Sequence, residues 1–112
     1  MILTSDFDSS ERISEDIAIS NSSNVILRGI VNGNISVAQN SSLQLHGIVN
    51  GSITIDADCN FNLHGTINGN ITNFGTTHIY GTAKNCLLSG SNIHIHKNAL
   101  VNGEEIYFDK FE

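Results

Sequence analysis

Residues 27–37 of this chain read LRGIVNGNISV, and the pattern returns as LHGIVNGSITI at 45–55 and as LHGTINGNITN at 63–73. The offset from Leu27 to Leu45 and from Leu45 to Leu63 is 18 residues, and we call it the full step. A weaker copy, IYGTAKN, begins at Ile79, which is two residues early, and we call this offset the short step. KNALVNG at 97–103 follows after another full step. Self-similarity at a fixed short period is typical of a solenoid, in which each repeat forms one coil of the chain.

Apolar residues recur at the same places in each copy, so they form columns when the repeats are aligned. The predicted columns are Ile13, Val31, Val49, Ile67, Ala83 and Val101; Ile17, Ile35, Ile53, Ile71 and Leu87; Val25, Leu43, Phe61 and Ile95; and Ile19, Val37 and Ile55. Apolar and polar residues alternate, as in short strands with one buried face. One repeat cannot bury that face alone, but repeats stacked about 4.8 Å apart place like side chains over each other. The sequence therefore predicts a single all-β domain, a single-stranded β-helix (β-solenoid) of about six turns.

Two other β architectures fit the sequence less well. An up-and-down antiparallel barrel needs two-residue hairpin signals at short spacing, whereas here whole blocks repeat. Left-handed β-helix acyltransferases and carbonic anhydrases have turns of similar length, but these are built from hexapeptides. In this chain only Gly69, Gly75 and Gly81 follow one another at the hexapeptide spacing.

Polar residues at fixed offsets indicate where the coil turns. Glycine marks corners or places where backbone approaches backbone. Asparagine tolerates left-handed backbone, and stacked amides can form ladders. Such a ladder is predicted for Asn32, Asn50, Asn68 and Asn102. We therefore predict an N-terminal cap with a degenerate first turn at 1–26, solenoid repeats at 27–103 and a C-terminal cap at 104–112.

Composition restricts the classes of function. The chain has 112 residues, of which 39% are apolar and 14% charged, and its net charge is −6. Its five lysines and arginines are scattered, so a nucleic-acid partner is not expected. Cys59 and Cys86 form no disulfide framework and are expected to be half-buried or surface thiols. The first residues lack the basic and apolar regions of a signal peptide, and no apolar run reaches membrane-spanning length. We expect a cytoplasmic protein without a membrane span.

The rhythm Gly-x-Val-x-Gly-x-Ile at 29–35 and 47–53 resembles the bactofilins, a family of bacterial polymer-forming cytoskeletal proteins. The likeness covers roughly residues 25–103. It implies a right-handed β-helix without a nucleotide cofactor, which polymerises end to end through exposed apolar terminal turns. This chain departs from that pattern because acidic residues crowd both termini, and like charges oppose end-to-end stacking. A monomer or dimer is therefore favoured over a filament.

The acidic ends are predicted to be caps, because the terminal repeats of solenoids need polar covers for solubility. The aromatic tail near the C-terminus is expected to fold back as a lid over the last turn, which would protect its edge from strand addition. The residues predicted for capping or self-association are Glu15, Asp16, Tyr107, Phe108 and Phe111.

One face of the predicted solenoid is rich in histidine. The outward column Arg28, His46, His64, Tyr80 lies beside a second one, Gln44, Asn62, His78, His96. Aromatic and arginine side chains often dominate interface energies. The candidate partner-binding residues are Arg28, His46, His64, His78, Tyr80 and His96. A solvated polar face with stacked imidazoles is the alternative. No metal or other cofactor is expected, because stacked neighbours lie about 4.8 Å apart and no cysteine or carboxylate shares the face.

No arrangement of catalytic residues is evident, so the chain is predicted not to be an enzyme. The predicted function is a protein-binding or scaffold module that resembles bactofilins and acts through protein–protein contacts. The alternative is an immunity or antitoxin-type protein that neutralises a toxin by direct binding. The expected partner is therefore another protein, which the acidity of the chain suggests is basic, or a second copy of the chain.

Overall fold

The computed structural model of the chain describes residues 1–84, 88–90, 92–96 and 99–101. Every strand pairing in this part of the chain is parallel. The strands are β1 (Ile2–Leu3), β2 (Phe7–Ser9), β3 (Ile17–Ile19), β4 (Asn24–Leu27), β5 (Ile30–Val31), β6 (Ile35–Val37), β7 (Ser42–Leu45), β8 (Ile48–Val49), β9 (Ile53–Ile55), β10 (Asn60–Leu63), β11 (Thr66–Asn68), β12 (Ile71–Asn73), β13 (Thr76–Ile79), β14 (Thr82–Lys84), β15 (Leu88–Gly90), β16 (Ile93–Ile95) and β17 (Leu100–Val101). The described residues form no helix, so none of them belongs to a helix able to cross a membrane.

The strands stack into three sheets, and the chain visits each sheet once per turn. Sheet 1 contains β1, β3, β6, β9, β12 and β15; sheet 2 contains β2, β4, β7, β10, β13 and β16; sheet 3 contains β5, β8, β11, β14 and β17. This arrangement confirms the predicted all-β solenoid.

Like side chains lie over each other in the core. Val31 pairs with Val49, and Val49 with Ile67, each at the full step, and all three are buried. The backbone register extends this column from Ile13 to Val101, as predicted. Because every repeat supplies an apolar residue to the same column, a thin ribbon of chain gains a continuous interior.

The short step has a local cause at the corner between sheets 1 and 2. Residues 56–59 form this corner in one turn, whereas only Phe74 and Gly75 form it in the next, and the flanking strands keep their register. Buried Asn73 closes the tighter corner. Its Oδ1 accepts from the backbone N–H of Gly75 at 3.2 Å, and its Nδ2 donates to the Gly75 carbonyl at 3.1 Å. The short step is therefore a deletion of two residues within one corner.

One predicted column was wrong beyond this corner. After the short step, the column of Phe61 continues through Thr77 to Ile93 rather than to the predicted Ile95. Ile95 pairs with Ile79, which is again the short step, whereas Leu100 in the next sheet pairs with Thr82 at the full step. The chain thus returns to the full step only after Ile95. The alignment by glycines predicted a return to the full step earlier and therefore misplaced this strand.

A second column also shifts. Leu88, rather than the predicted Leu87, pairs with Ile71. Leu87 itself lies outside the described residues. The physical reason is again a change in corner length, because one more residue separates β14 from β15 than separates β11 from β12. Variable corners move the register without disturbing the sheet.

Acidic side chains of the first turn bind the backbone of the second. The Asp16 carboxylate accepts from the backbone N–H of Asn34 at 2.8 Å. Asn34 in turn accepts from the backbone N–H of Ser52 at 2.9 Å, so one column of short polar side chains links successive turns. Glu15 forms an ion pair with the N-terminal ammonium of Met1 at 2.8 Å. Tyr107, Phe108 and Phe111, predicted for the opposite end, lie outside the described residues.

The predicted amide ladder is present in three successive turns. Nδ2 of Asn50 donates to Oδ1 of Asn32 at 2.8 Å, and Nδ2 of Asn68 donates to Oδ1 of Asn50 at 2.9 Å. Asn102 lies outside the described residues. The ladder runs along the outside of the corner, where it satisfies exposed amides and holds adjacent turns in register.

Candidate interaction face

A stack of aromatic rings runs along the outside of sheet 2. Alternation buries Leu45 and Leu63, and the residue after each one faces outward. The ring of His64 therefore lies over that of His46, with 4.8 Å between centroids and 5° between planes. Tyr80 lies over His64 at 4.8 Å and 3°. These spacings follow the distance between strands in a sheet, so the fold itself sets the stack.

The stack continues into the last described turn and has a second row beside it. His96 lies over Tyr80, with 4.0 Å between centroids and 15° between planes. His94 lies over His78 at 4.7 Å and 15°, and His78 is 6.2 Å from Tyr80. We call these six side chains the histidine–tyrosine face: His46, His64, His78, Tyr80, His94 and His96. The structure thus brings together all the predicted ring-bearing candidates and adds His94.

The predicted order of the second row was wrong. In the register, His94 follows His78, whereas His96 stacks on Tyr80. The cause is the short step between β13 and β16, which the sequence repeat did not reveal. Both histidines still face outward on either side of buried Ile95.

His78 and His96 also meet across the two rows. Nδ1 of His78 and Nε2 of His96 are 3.2 Å apart, at a partly buried position. One nitrogen donates and the other accepts, with the roles set by the tautomers of the rings. The two ring centroids are 5.4 Å apart, and the planes are tilted by 31°, so that one nitrogen of each ring comes close to the other.

Arg28 lies at the edge of the face, beyond the rings. Its Nε donates to the Asp8 carboxylate at 3.1 Å, and both side chains are about half exposed. An exposed pair of this kind contributes little to stability. The Asp8 carboxylate thus neutralises the charge of Arg28, which the sequence placed in the same column as His46 and His64.

Two rings of the histidine–tyrosine face, His64 and His78, resist protonation. Burial, and then the charge of neighbouring His46, lower the pKa of His64 below 6.5. Burial, followed by the charges of His94 and His96, lowers the pKa of His78. Stacked imidazoles cannot all become cations without repulsion. His64 and His78 are therefore harder to charge than a free histidine, although the chain as a whole is acidic.

The lowered pKa of His64 predicts a loss of stability in acid. The unfolded chain takes up a proton near pH 6.5, whereas folded His64 does so only at lower pH. Between these values the unfolded state binds more protons, so the free energy of unfolding falls as the pH falls through 6.5 and levels off below the folded pKa. Urea unfolding of the native chain and of His64→Gln between pH 8 and pH 5 measures this, and the variant should show a shallower decline. An equal decline in both would contradict the prediction, and NMR titration of His64 provides a direct check of its pKa.

Other reactive groups lie apart from this face. Cys59 is buried in the core, which corrects the expectation of a half-buried or surface thiol, and Cys86 lies outside the described residues. Among the described residues, no group of three or more histidine, cysteine, aspartate or glutamate side chains is arranged to hold a metal ion.

Comparison with protein-family models, with curated proteins and with solved structures finds no match to this chain. The resemblance to bactofilins therefore stays a prediction from the glycine and isoleucine rhythm. What the structure defines is the class of fold, a parallel β-solenoid with one ring-lined face.

Proposed function

We propose that this chain is a non-enzymatic protein-binding module and that the histidine–tyrosine face is its contact surface. The observation that carries the proposal is the unbroken stack from His46 through His64 and Tyr80 to His96, with His78 and His94 beside it. The stacked rings cover each other's faces and leave mainly their edges, which carry ring nitrogens and the Tyr80 hydroxyl, for contact with a partner.

The physical properties of this face suit protein recognition. Tyrosine and other aromatic side chains contribute much of the binding energy at interfaces, because they bury a large area and still form hydrogen bonds at their edges. Tyr80 keeps 40% of its surface exposed, which is high for a large ring that packs against neighbours. Stacking already restricts the rotamers of these rings, so their ordering on binding costs little entropy.

The proposed partner is another protein in the cytoplasm. A basic protein fits the net charge of −6, which would speed its approach while the histidine–tyrosine face makes the close contact. An immunity-type role, in which the chain neutralises a basic toxin, is the specific form of this function that the charge favours.

A scaffold role is the second candidate, and it is supported by the first turn. β1 and β2 are the outermost strands of their sheets, so each has one edge without a neighbouring strand among the described residues. Ile2 on β1 is 76% exposed. A second copy that pairs with these edges would cover Ile2, as in strand addition between sheets. In the scaffold, contacts would therefore form at the end of the solenoid rather than on its face.

Paired variants distinguish the two locations. We would compare the native chain with the double variant His64→Ala/Tyr80→Ala and with the control Ser36→Ala/Thr54→Ala, whose changes lie outward on sheet 1. With a candidate basic partner, calorimetry should show binding to the native chain and the control and loss of at least tenfold in affinity for the face variant. Thermal unfolding checks that all three chains fold.

Light scattering at increasing concentration and at two salt levels tests the scaffold role. A stable monomer at every concentration would exclude assembly through the ends, whereas growing filaments would exclude the neutralising role. Equal partner affinity in the face variant and the control would show that the histidine–tyrosine face is not the contact surface.

A further inference from the structure

Two imidazole nitrogens of the histidine–tyrosine face approach each other at the distance that a shared metal ion requires. Nδ1 of His78 and Nε2 of His96 are 3.2 Å apart. In a tetrahedral zinc site, each zinc–nitrogen bond is about 2.0–2.1 Å, which places two such nitrogens roughly 3.3 Å from each other. We propose that His78 and His96 bind a divalent transition-metal ion such as Zn²⁺, with the remaining positions taken by water or by a ligand from a partner.

The register explains why this pair differs from the rest of the face. Rings stacked directly over each other, such as His46 and His64, keep their centroids 4.8 Å apart. The short step instead sets His96 on Tyr80, in the row beside His78. The pair is thus diagonal, and one nitrogen of each ring faces the other. The spacing of about 4.8 Å between stacked neighbours, which argued against a metal site in the sequence, therefore does not apply to this pair.

The neighbouring rings hold both ligands in place. His78 packs on His94, and His96 packs on Tyr80, each with 15° between ring planes. A site whose ligands are already oriented loses little entropy when the ion binds. The neutral imidazole is the form that binds metals, so a test of binding is made above the ordinary histidine pKa of about 6.5.

Binding requires a change of tautomer and a small rotation of the rings, because a metal bound to both nitrogens lies off the line that joins them. In the free protein one of the two facing nitrogens carries the proton that it donates to the other. When the ion binds, that proton moves to the far nitrogen of the same ring by exchange with water, so that both facing lone pairs point to the metal. No net proton is released and no bond of the backbone changes. The open positions would allow a partner to complete the coordination, but the site does not depend on the proposed function.

Calorimetric titration with Zn²⁺ at pH 7.5 tests the proposal on protein freed of metal with EDTA. We expect one saturable site per chain in the native protein, loss of that site in His78→Gln and in His96→Gln, and its retention in His46→Gln. A titration without saturable binding, or one that both substitutions leave unchanged, would overturn the proposal.

A second measurement uses the native chain alone, in case a variant fails to fold. Proton–nitrogen correlation spectra of the imidazoles should show the nitrogens of His78 and His96 shifting with Zn²⁺, while those of His46 stay in place. Equal shifts in all three rings would indicate non-specific binding and would also overturn the proposal.

Discussion

Replacing Gly47 by alanine is expected to lower the free energy of unfolding by about 3 kcal/mol. A Cβ at this position would overlap the carbonyl oxygen of Gly29 in the preceding turn and would lie 2.8 Å from the carbonyl carbon of Arg28. These neighbours are backbone atoms, which cannot rotate away as a side chain does. The Gly29 carbonyl also accepts from the N–H of Ile48 at 3.0 Å, so any shift that relieves the overlap weakens the ladder between turns.

Urea unfolding followed by circular dichroism measures this effect. Ile48→Ala is the matched control, because Ile48 is the next residue, faces outward and is 38% exposed. Its substitution should change the free energy of unfolding by less than about 1 kcal/mol. A Gly47→Ala chain as stable as the control would mean that the turns can separate at this corner without cost.

The regular part of the fold could be predicted because each turn has the same length and buries the same kind of side chain at the same position. Between residues 27 and 73 every turn has the same length, so aligned residues such as Val31, Val49 and Ile67 lie in one column. Burial of like on like then follows from strand geometry alone. Asp16 and Asn34 lie one full step apart, so they fall in one column of the aligned repeats. The hydrogen bonds that this column forms with the next turn were found only in the structure.

The later turns could not be predicted, because the repeat length alone does not show in which corner the two residues are lost. The copy that begins at residue 79 gave the correct length of that turn, but it did not show in which corner the residues are missing. The loss falls between Asn73 and Thr76, and the return to the full step falls after Ile95. Asn73 occupies the position that Ile55 has in the buried column. Because its side chain is polar and forms hydrogen bonds with the corner, the sequence did not indicate a core residue there.

The same limit applies to the histidine–tyrosine face. Alternation along the strands was enough to predict that His46 and His64 face outward and stack. The sequence placed His96 directly over His78 in one column, whereas the uneven step puts His96 on Tyr80 and makes its contact with His78 diagonal. The diagonal contact of the face was thus the one that strict periodicity could not reveal.

Replacing Phe61 by alanine is expected to lower the free energy of unfolding by about 3–5 kcal/mol, since deletion of a buried aromatic ring leaves a cavity that its neighbours fill only in part. Phe61 is fully buried, between Leu43 and Thr77 of the same column, and it is the largest such side chain among the described residues. Neither neighbour can move into the space without leaving its own position in the ladder, because each is fixed by strands on both sides.

Phe74→Ala provides the control, since it removes the same ring from a corner where the residue is 64% exposed. That change should cost less than about 1 kcal/mol. The comparison is made by urea and thermal unfolding of both variants. For a small domain with a total stability of about 5–15 kcal/mol, the Phe61 variant should unfold at a much lower urea concentration than the Phe74 variant. Equal midpoints would show that the interior is loosely packed, and that stability lies mainly in the hydrogen bonds between turns rather than in the apolar columns.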